Sequence, residues 1–181
     1  MNYEIVNNFL PKETHNKMKE TLIGGVYNFD WHLNNSVSKK DANDGCYFVH
    51  DFFPSWNRVS PEFVKFQPLI KAIQPQAVLR FRALLYPRND SIEKHGWHRD
   101  YHKLIDGKYR KVKGFLLYIN SNNGKTILKN ENGDNDVEIE SVENRGLFFD
   151  AHELHRSTSC SDMNYRCVII INFIPKENPI L

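Results

Sequence analysis

The sequence predicts a mainly β protein of the α+β class, a β-sandwich backed by N-terminal helices. Two observations predict it. Residues 11–75 hold two stretches with apolar residues at helical spacing, and after residue 76 the chain changes to about eight short strand-like runs. Asn122-Asn123-Gly124, Asn132-Gly133-Asp134 and Asn144-Arg145-Gly146 mark turns between those runs. Helices first and many short strands after fits two helices packed on a jelly roll, the double-stranded β-helix of cupin-like proteins.

The elements follow in order. Tyr3 to Val6 is a short apolar run with strand character. Pro11 suits a first helical turn and Gly24-Gly25 a stop, so a helix is expected to Ile23, with Leu10, Thr14, Met18 and Leu22 as its stripe. The pattern lapses from Tyr27 to Gly45, a length expected of a lid or a disordered loop. Cys46 to Phe53 reads as a strand. Ser60 is the expected N-cap of a second helix, with Phe63, Phe66, Ile70 and Ile73 at helical spacing and Pro68 expected to kink or split it. The strands then expected are Ala77–Tyr86, Trp97–Asp100, Val112–Asn120, Thr126–Lys129, Val137–Val142, Gly146–Phe149, Ser157–Cys160 and Arg166–Ile174.

A chain of 181 residues fits one domain, expected over 1–181 with helical support in 1–75 and the jelly-roll core in 76–174. A 40% hydrophobic and 13% aromatic content suffices for a packed core. The net charge of +2 argues against a dedicated nucleic-acid binder with a dominant basic field. Cys46, Cys160 and Cys167 are an odd set without CxxC spacing, which reads as free thiols in a reducing compartment. No leader-like start and no apolar run of about 18 residues is visible, so the expectation is a soluble cytoplasmic protein with no membrane partner.

Chemistry concentrates around His98-Arg99-Asp100. In an extended strand, His98 and Asp100 share a face, presenting an imidazole and a carboxylate side by side. With one later His they would form a 2-His-1-carboxylate face with open positions, the ligand set of non-haem Fe(II) oxygenases. The motif alone carries little, because a strand end with a surface ion pair has the same letters. The third ligand is sought in Gly146 to Ser157, where His152 and His155 both stand. His155 is preferred because the next strand would hold it. His152-Glu153-Leu154-His155 is one residue short of a zinc-binding HExxH. His95 and His102 read as flanking residues, not ligands.

Arg166 shares a strand face with Val168, Ile170 and Asn172. Facing inward it needs a partner, which a dicarboxylate would supply; at a frayed strand start it would pair with a surface acid. Tyr86 lies on a face with Arg80, Arg82 and Leu84, and Tyr118 on one with Gly114, Leu116 and Asn120. Each tyrosine hydroxyl could reach a pocket anion or water.

In order, Leu85-Tyr86-Pro87, His98-Arg99-Asp100, Leu117-Tyr118-Ile119-Asn120, Gly124-Lys125-Thr126, Asn144 to Asp150, His155-Arg156-Ser157-Thr158 and Arg166 resemble the 2-oxoglutarate and Fe(II)-dependent oxygenases of the prolyl 4-hydroxylase-like branch. The likeness is to the small single-domain members of phages and aquatic bacteria, over about residues 76–174. It implies His98, Asp100 and His155 as iron ligands. Arg166 would hold the distal carboxylate of 2-oxoglutarate, helped by Tyr118, with Tyr86 near the 2-oxo acid end. It implies hydroxylation with release of succinate and carbon dioxide, and ascorbate as a candidate reductant. A phage-encoded protein would work in its host's cytoplasm. Lys125-Thr126 stands where prolyl hydroxylases often carry Gly-Glu-Thr, and Arg156 follows the distal His; both leave the substrate open.

Three substrate classes follow. A protein side chain such as proline leads. Nucleic-acid bases come second, favoured by the basic run Lys108 to Lys113, though the RxNxTxR-like pattern of DNA-repair dioxygenases is lacking. A small metabolite is third. Arg82, Trp97 and Arg99 are candidate substrate contacts, and 27–45 and 101–111 candidate lids. A non-catalytic binding module of the same fold is the competing class.

Overall fold

The structure, a computed structural model, describes residues 2–25, 28–36, 45–53, 59–101, 104–105, 108–109, 111–133 and 135–176. The elements are β1 (Tyr3–Val6), α1 (Lys12–Ile23), β2 (His32–Asn34), β3 (Tyr47–Phe53), α2 (Phe63–Ile73), β4 (Ala77–Pro87), β5 (Leu104–Ile105), β6 (Lys108–Tyr109), β7 (Lys113–Tyr118), β8 (Asn122–Leu128), β9 (Val137–Ser141), β10 (Gly146–Asp150), β11 (His155–Ser157) and β12 (Tyr165–Ile174). Seven strands form one antiparallel sheet in the order β1-β10-β7-β12-β4-β3-β2. A smaller sheet has the order β11-β8-β9, and β5 pairs with β6. This is the expected mainly β jelly roll.

Strand alternation divides the interior into two cores. Phe81 and Ala83 of β4, Phe115 and Leu117 of β7, and Cys167, Ile169, Ile171 and Phe173 of β12 pack on Leu10, Met18, Leu22, Phe66 and Leu69 from the helical side. The alternate residues Tyr86, Leu116, Tyr118, Val168 and Ile170 face Leu128 and Ile139 of the small sheet. Strand β12 lies mid-sheet and is covered on both faces. Its run Cys167 to Phe173 is therefore apolar at nearly every position.

Several boundaries differ from the sequence reading. Helix α1 begins after Pro11 and stops at Gly24-Gly25, as its punctuation requires. Helix α2 is capped at Glu62, not Ser60; the Ser60 hydroxyl instead accepts the Glu62 N–H at 3.1 Å, one turn earlier. Pro68 does not split the helix. It lies on the exposed face, where a carbonyl without an intrahelical partner can bond water.

Strand Trp97–Asp100 does not form. Among the described residues, single bridges at Lys94–Thr158 and His98–His155 stand in its place. Four steps on one side match three on the other, and such an extra residue breaks a regular ladder. Strand β11, paired with β8, spans His155–Ser157 instead of Ser157–Cys160. Strand β8 begins earlier than Thr126, at Asn122, through an irregular pairing with β9.

Of the candidate lids, β2 lies within 27–45 and the β5–β6 hairpin within 101–111; the rest of both lies largely outside the described residues, as does His102. Cys46, Cys160 and Cys167 are free thiols. Among the described residues no helix is long and apolar enough to cross a membrane.

Candidate functional site

The bridge that replaces the expected strand builds the site. His98 and His155 exchange backbone hydrogen bonds of 2.9 Å in each direction, so their side chains leave one face together. Their ring centroids are 4.5 Å apart. Asp100 lies two residues on, and its Oδ2 is 3.9 Å from His155 Nε2. One ligand atom from each of His98, Asp100 and His155 lies within 4.8 Å of the others.

Both imidazoles are oriented for ligation. His98 Nδ1 faces Gly96 O at 3.2 Å, and His155 Nδ1 faces Glu153 O at 2.9 Å. A carbonyl can only accept, so each Nδ1 carries the proton and each Nε2 keeps its lone pair. Burial pushes His155 down to about 4, which keeps it neutral near pH 7. Burial alone would raise the Asp100 carboxyl. Arg80, then His155 and His98, and the bond from Asn172 outweigh it and hold the group well below the usual carboxylate range. His155 thus stands as a neutral imidazole beside a carboxylate, with the His98 Nδ1 held on the Gly96 carbonyl.

Two residues absent from the sequence reading of the site hold that carboxylate. Arg80 Nη2 donates to Asp100 Oδ1, and Asn172 Nδ2 donates to Oδ2 at 3.0 Å. Arg80 Nε donates to Asn172 Oδ1 at 2.7 Å. Their strand faces were legible, since Arg80 shares one with Tyr86 and Asn172 one with Arg166; the link to Asp100 was not.

Arg166 faces inward and is 1% exposed. Its Nε donates to Ser141 Oγ at 2.9 Å and its Nη2 to Thr126 Oγ1 at 3.0 Å. Among the described residues its buried Nη1 has no hydrogen-bond partner. Gly124 makes room for this side chain, because a Cβ there would lie 2.7 Å from Arg166 Cδ and 2.7 Å from Ser159 O. Tyr118 donates to Thr126 Oγ1 at 2.8 Å, so it reaches the pocket through Thr126. Tyr86 hydrogen-bonds Ser157 and lies beneath the Arg166 guanidinium, 5.4 Å from its ring centre. Burial pushes both phenols up, leaving them neutral. His95 is buried against Tyr86, with Nδ1 2.8 Å from Ser157 Oγ.

A cavity of about 770 Å³ joins these parts, lined by the triad, Arg166, Thr126 and Tyr86 in company with Arg82, Trp97 and Arg99. Arg82 forms an ion pair with Asp51. Arg99 is engaged by the His152 carbonyl and, at 2.6 Å, by Glu131. The Trp97 ring carries the Arg156 guanidinium 4.1 Å from its centre and Lys129 Nζ at 5.3 Å. His152 belongs to a separate group with Asp150 and Glu153.

The residues fit an Fe(II) ion and a dicarboxylate. Nitrogen and oxygen donors of this kind leave positions open on such a metal, and the buried Arg166 Nη1, without a partner among the described residues, suits a carboxylate.

No family model matches the chain, and no curated protein matches it by sequence. Solved structures do. A Pseudomonas putida prolyl-4-hydroxylase matches over 95% of this chain and 92% of its own, at 13% identity and a TM-score of 0.58. An oxidoreductase of the 2OG-Fe(II) oxygenase family from Burkholderia pseudomallei matches over 97% and 86%, at 8% identity and a TM-score of 0.68. A Trichoplax adhaerens prolyl hydroxylase, in complex with a hypoxia inducible factor peptide fragment, matches over 95% and 83%, at 14% identity and a TM-score of 0.64. At such identities the likeness is one of fold: the chain shares the jelly-roll architecture of these structures.

Proposed function

We propose that the chain is an Fe(II)- and 2-oxoglutarate-dependent dioxygenase that hydroxylates a C–H bond. One observation carries the reading: a single cavity holds three metal-ligand atoms within 4.8 Å and a buried guanidinium with an unpaired nitrogen. A metal triad or a buried Arg alone would be ambiguous; both in one cavity match a cosubstrate that chelates at one end and is a carboxylate at the other.

His98, Asp100 and His155 would hold the iron. Arg166 would bind the distal carboxylate of 2-oxoglutarate, with Thr126 fixing the guanidinium and Tyr118 fixing Thr126. Tyr86 would wall the 2-oxo acid end. Bound iron and 2-oxoglutarate would supply the oxidation, releasing succinate and carbon dioxide as one oxygen atom enters the substrate. The protein's part is to orient the reactants and keep water from the buried end. Ascorbate is a candidate reductant.

A protein side chain such as proline is the leading substrate. Two of the structures above are prolyl hydroxylases, one of them with a peptide, and the cavity of about 770 Å³ is the space offered to a substrate. Arg82, Trp97 and Arg99 would meet the substrate. Nucleic-acid bases are the second reading; of the basic run that favours them, Lys111 is exposed and Lys113 is paired with Asp150 at 2.5 Å.

The test is succinate release with Fe(II), 2-oxoglutarate and dioxygen, comparing proline-bearing peptides with single-stranded oligonucleotides. Stimulation by peptides supports the leading substrate, and stimulation by oligonucleotides alone moves the assignment to the second. Intact turnover in His155→Ala or Asp100→Ala would overturn the ligand set.

A further inference from the structure

We propose that Arg80 and Asn172 form a clamp that fixes the Asp100 carboxylate so that a single oxygen, Oδ2, is offered to the metal. Arg80 is then a positioning residue of the site. The inference rests on the metal-binding reading of His98, Asp100 and His155.

Asp100 needs such a device because its backbone gives it little. It sits at a bend after the lone His98 bridge, with no ladder around it. A carboxylate on irregular chain can turn about its last torsion, which is broad and nearly two-fold. Turned freely, it could take two positions on a metal instead of one. A site that must leave room for a chelating cosubstrate and dioxygen cannot give up that position.

The clamp comes from the rigid part of the fold. Arg80 and Asn172 are directly opposed on the paired strands β4 and β12, next to the irregularity between Asn172 and Phe173. Both face the cavity side. The guanidinium caps Oδ1. It also bonds the Asn172 carbonyl oxygen at 2.7 Å, which turns the amide nitrogen toward Oδ2 at 3.0 Å. An amide placed the other way would set oxygen against carboxylate, so Arg80 selects the orientation. Oδ2 keeps a second lone pair and looks toward His155 Nε2 at 3.9 Å. The three side chains close one ring. Removing either strand residue opens it.

An ordinary buried ion pair would predict lost stability and nothing more. The clamp predicts a change in the metal itself. The experiment titrates Mn(II) alone into apo wild type, R80M, R80K, N172A and the R80M/N172A double variant, following the free-ion spin resonance signal. Co(II) visible spectra of the same proteins report coordination.

R80M is expected to weaken Mn(II) by about 10–100-fold and N172A by about tenfold. R80K, which keeps a donor for Asp100, is expected to fall between R80M and wild type. The double variant should be no weaker than R80M within about twofold, because the two residues act as one unit. The Co(II) bands should shift in R80M. Wild-type Mn(II) affinity and Co(II) bands in folded R80M and N172A would overturn the clamp, as would losses that simply add. Should R80M not fold, R80K and N172A against wild type carry the same comparison. Absence of Mn(II) binding in wild type would instead overturn the metal-site reading on which the clamp stands.

Discussion

His98 and His155 are joined backbone to backbone by two hydrogen bonds of 2.9 Å, although 56 residues separate them in the chain. This pairing lets an irregular segment deliver the proposed ligands with strand-like precision. It also explains why His155, not His152, completes the triad: His152 lies in the turn before β11, outside the bridge.

The first prediction separates those two histidines. Mn(II) is expected to raise the midpoint of thermal unfolding in wild type and in His152→Ala, and to leave His155→Ala unchanged. At a hundredfold excess over the dissociation constant the stabilisation is about 2.7 kcal/mol. Differential scanning fluorimetry with and without metal reads it. Equal metal stabilisation in His155→Ala would contradict the assignment.

Gly124→Ala is expected to displace Arg166, because the new methyl would meet both Arg166 Cδ and the Ser159 carbonyl at 2.7 Å. The loss should appear in 2-oxoglutarate affinity, by roughly tenfold or more for a displaced buried charge pair, with Mn(II) affinity unchanged. Calorimetric titration of each ligand in turn distinguishes the two effects.

Arg166→Met tests whether Arg166 serves binding more than folding. A buried guanidinium with an unpaired Nη1 gives little net stability to the protein without ligand. The variant's urea stability should stay within about 1 kcal/mol of wild type while 2-oxoglutarate binding is lost. Severe destabilisation with binding retained would reverse that view.

The metal-free protein should be acid-sensitive. His155 titrates near 4 when folded and about 6.5 when unfolded, so the unfolded chain takes up the proton first. Stability is full above about 6.5 and is lost as pH falls toward 4, by on the order of 3 kcal/mol. The depressed Asp100 adds a loss of the same sign below the ordinary carboxylate range. Urea midpoints in chelator between pH 7 and pH 4 should drop for wild type, and drop less for His155→Gln.

Period-two alternation explains what the sequence made legible. In β12 it set Arg166, Val168, Ile170 and Asn172 on one face, and the structure places Arg166 and Asn172 on the cavity side with the two cores divided accordingly. Turn residues bounded most strands for the same local reason. The expected Trp97–Asp100 strand was not legible as a bridge, since the extra residue shows only against residues 155–158. Arg80 and Asn172 could be placed on faces but not given a task, because their shared partner Asp100 is 20 residues from one and 72 from the other. Tyr118 could be placed on a face with Leu116 but not given an inward direction, and its bond to Thr126 depends on how the small sheet stacks on the large one.

The most direct measurement is anaerobic addition of Fe(II) and then 2-oxoglutarate, watching for the weak visible charge-transfer band of an iron–2-oxo acid chelate. It requires no knowledge of the substrate. The expected result is a band in wild type that vanishes in His98→Ala and weakens in Arg166→Met. A folded, metal-loaded protein that gives no band with 2-oxoglutarate would contradict the oxygenase reading and leave a binding module on the same fold.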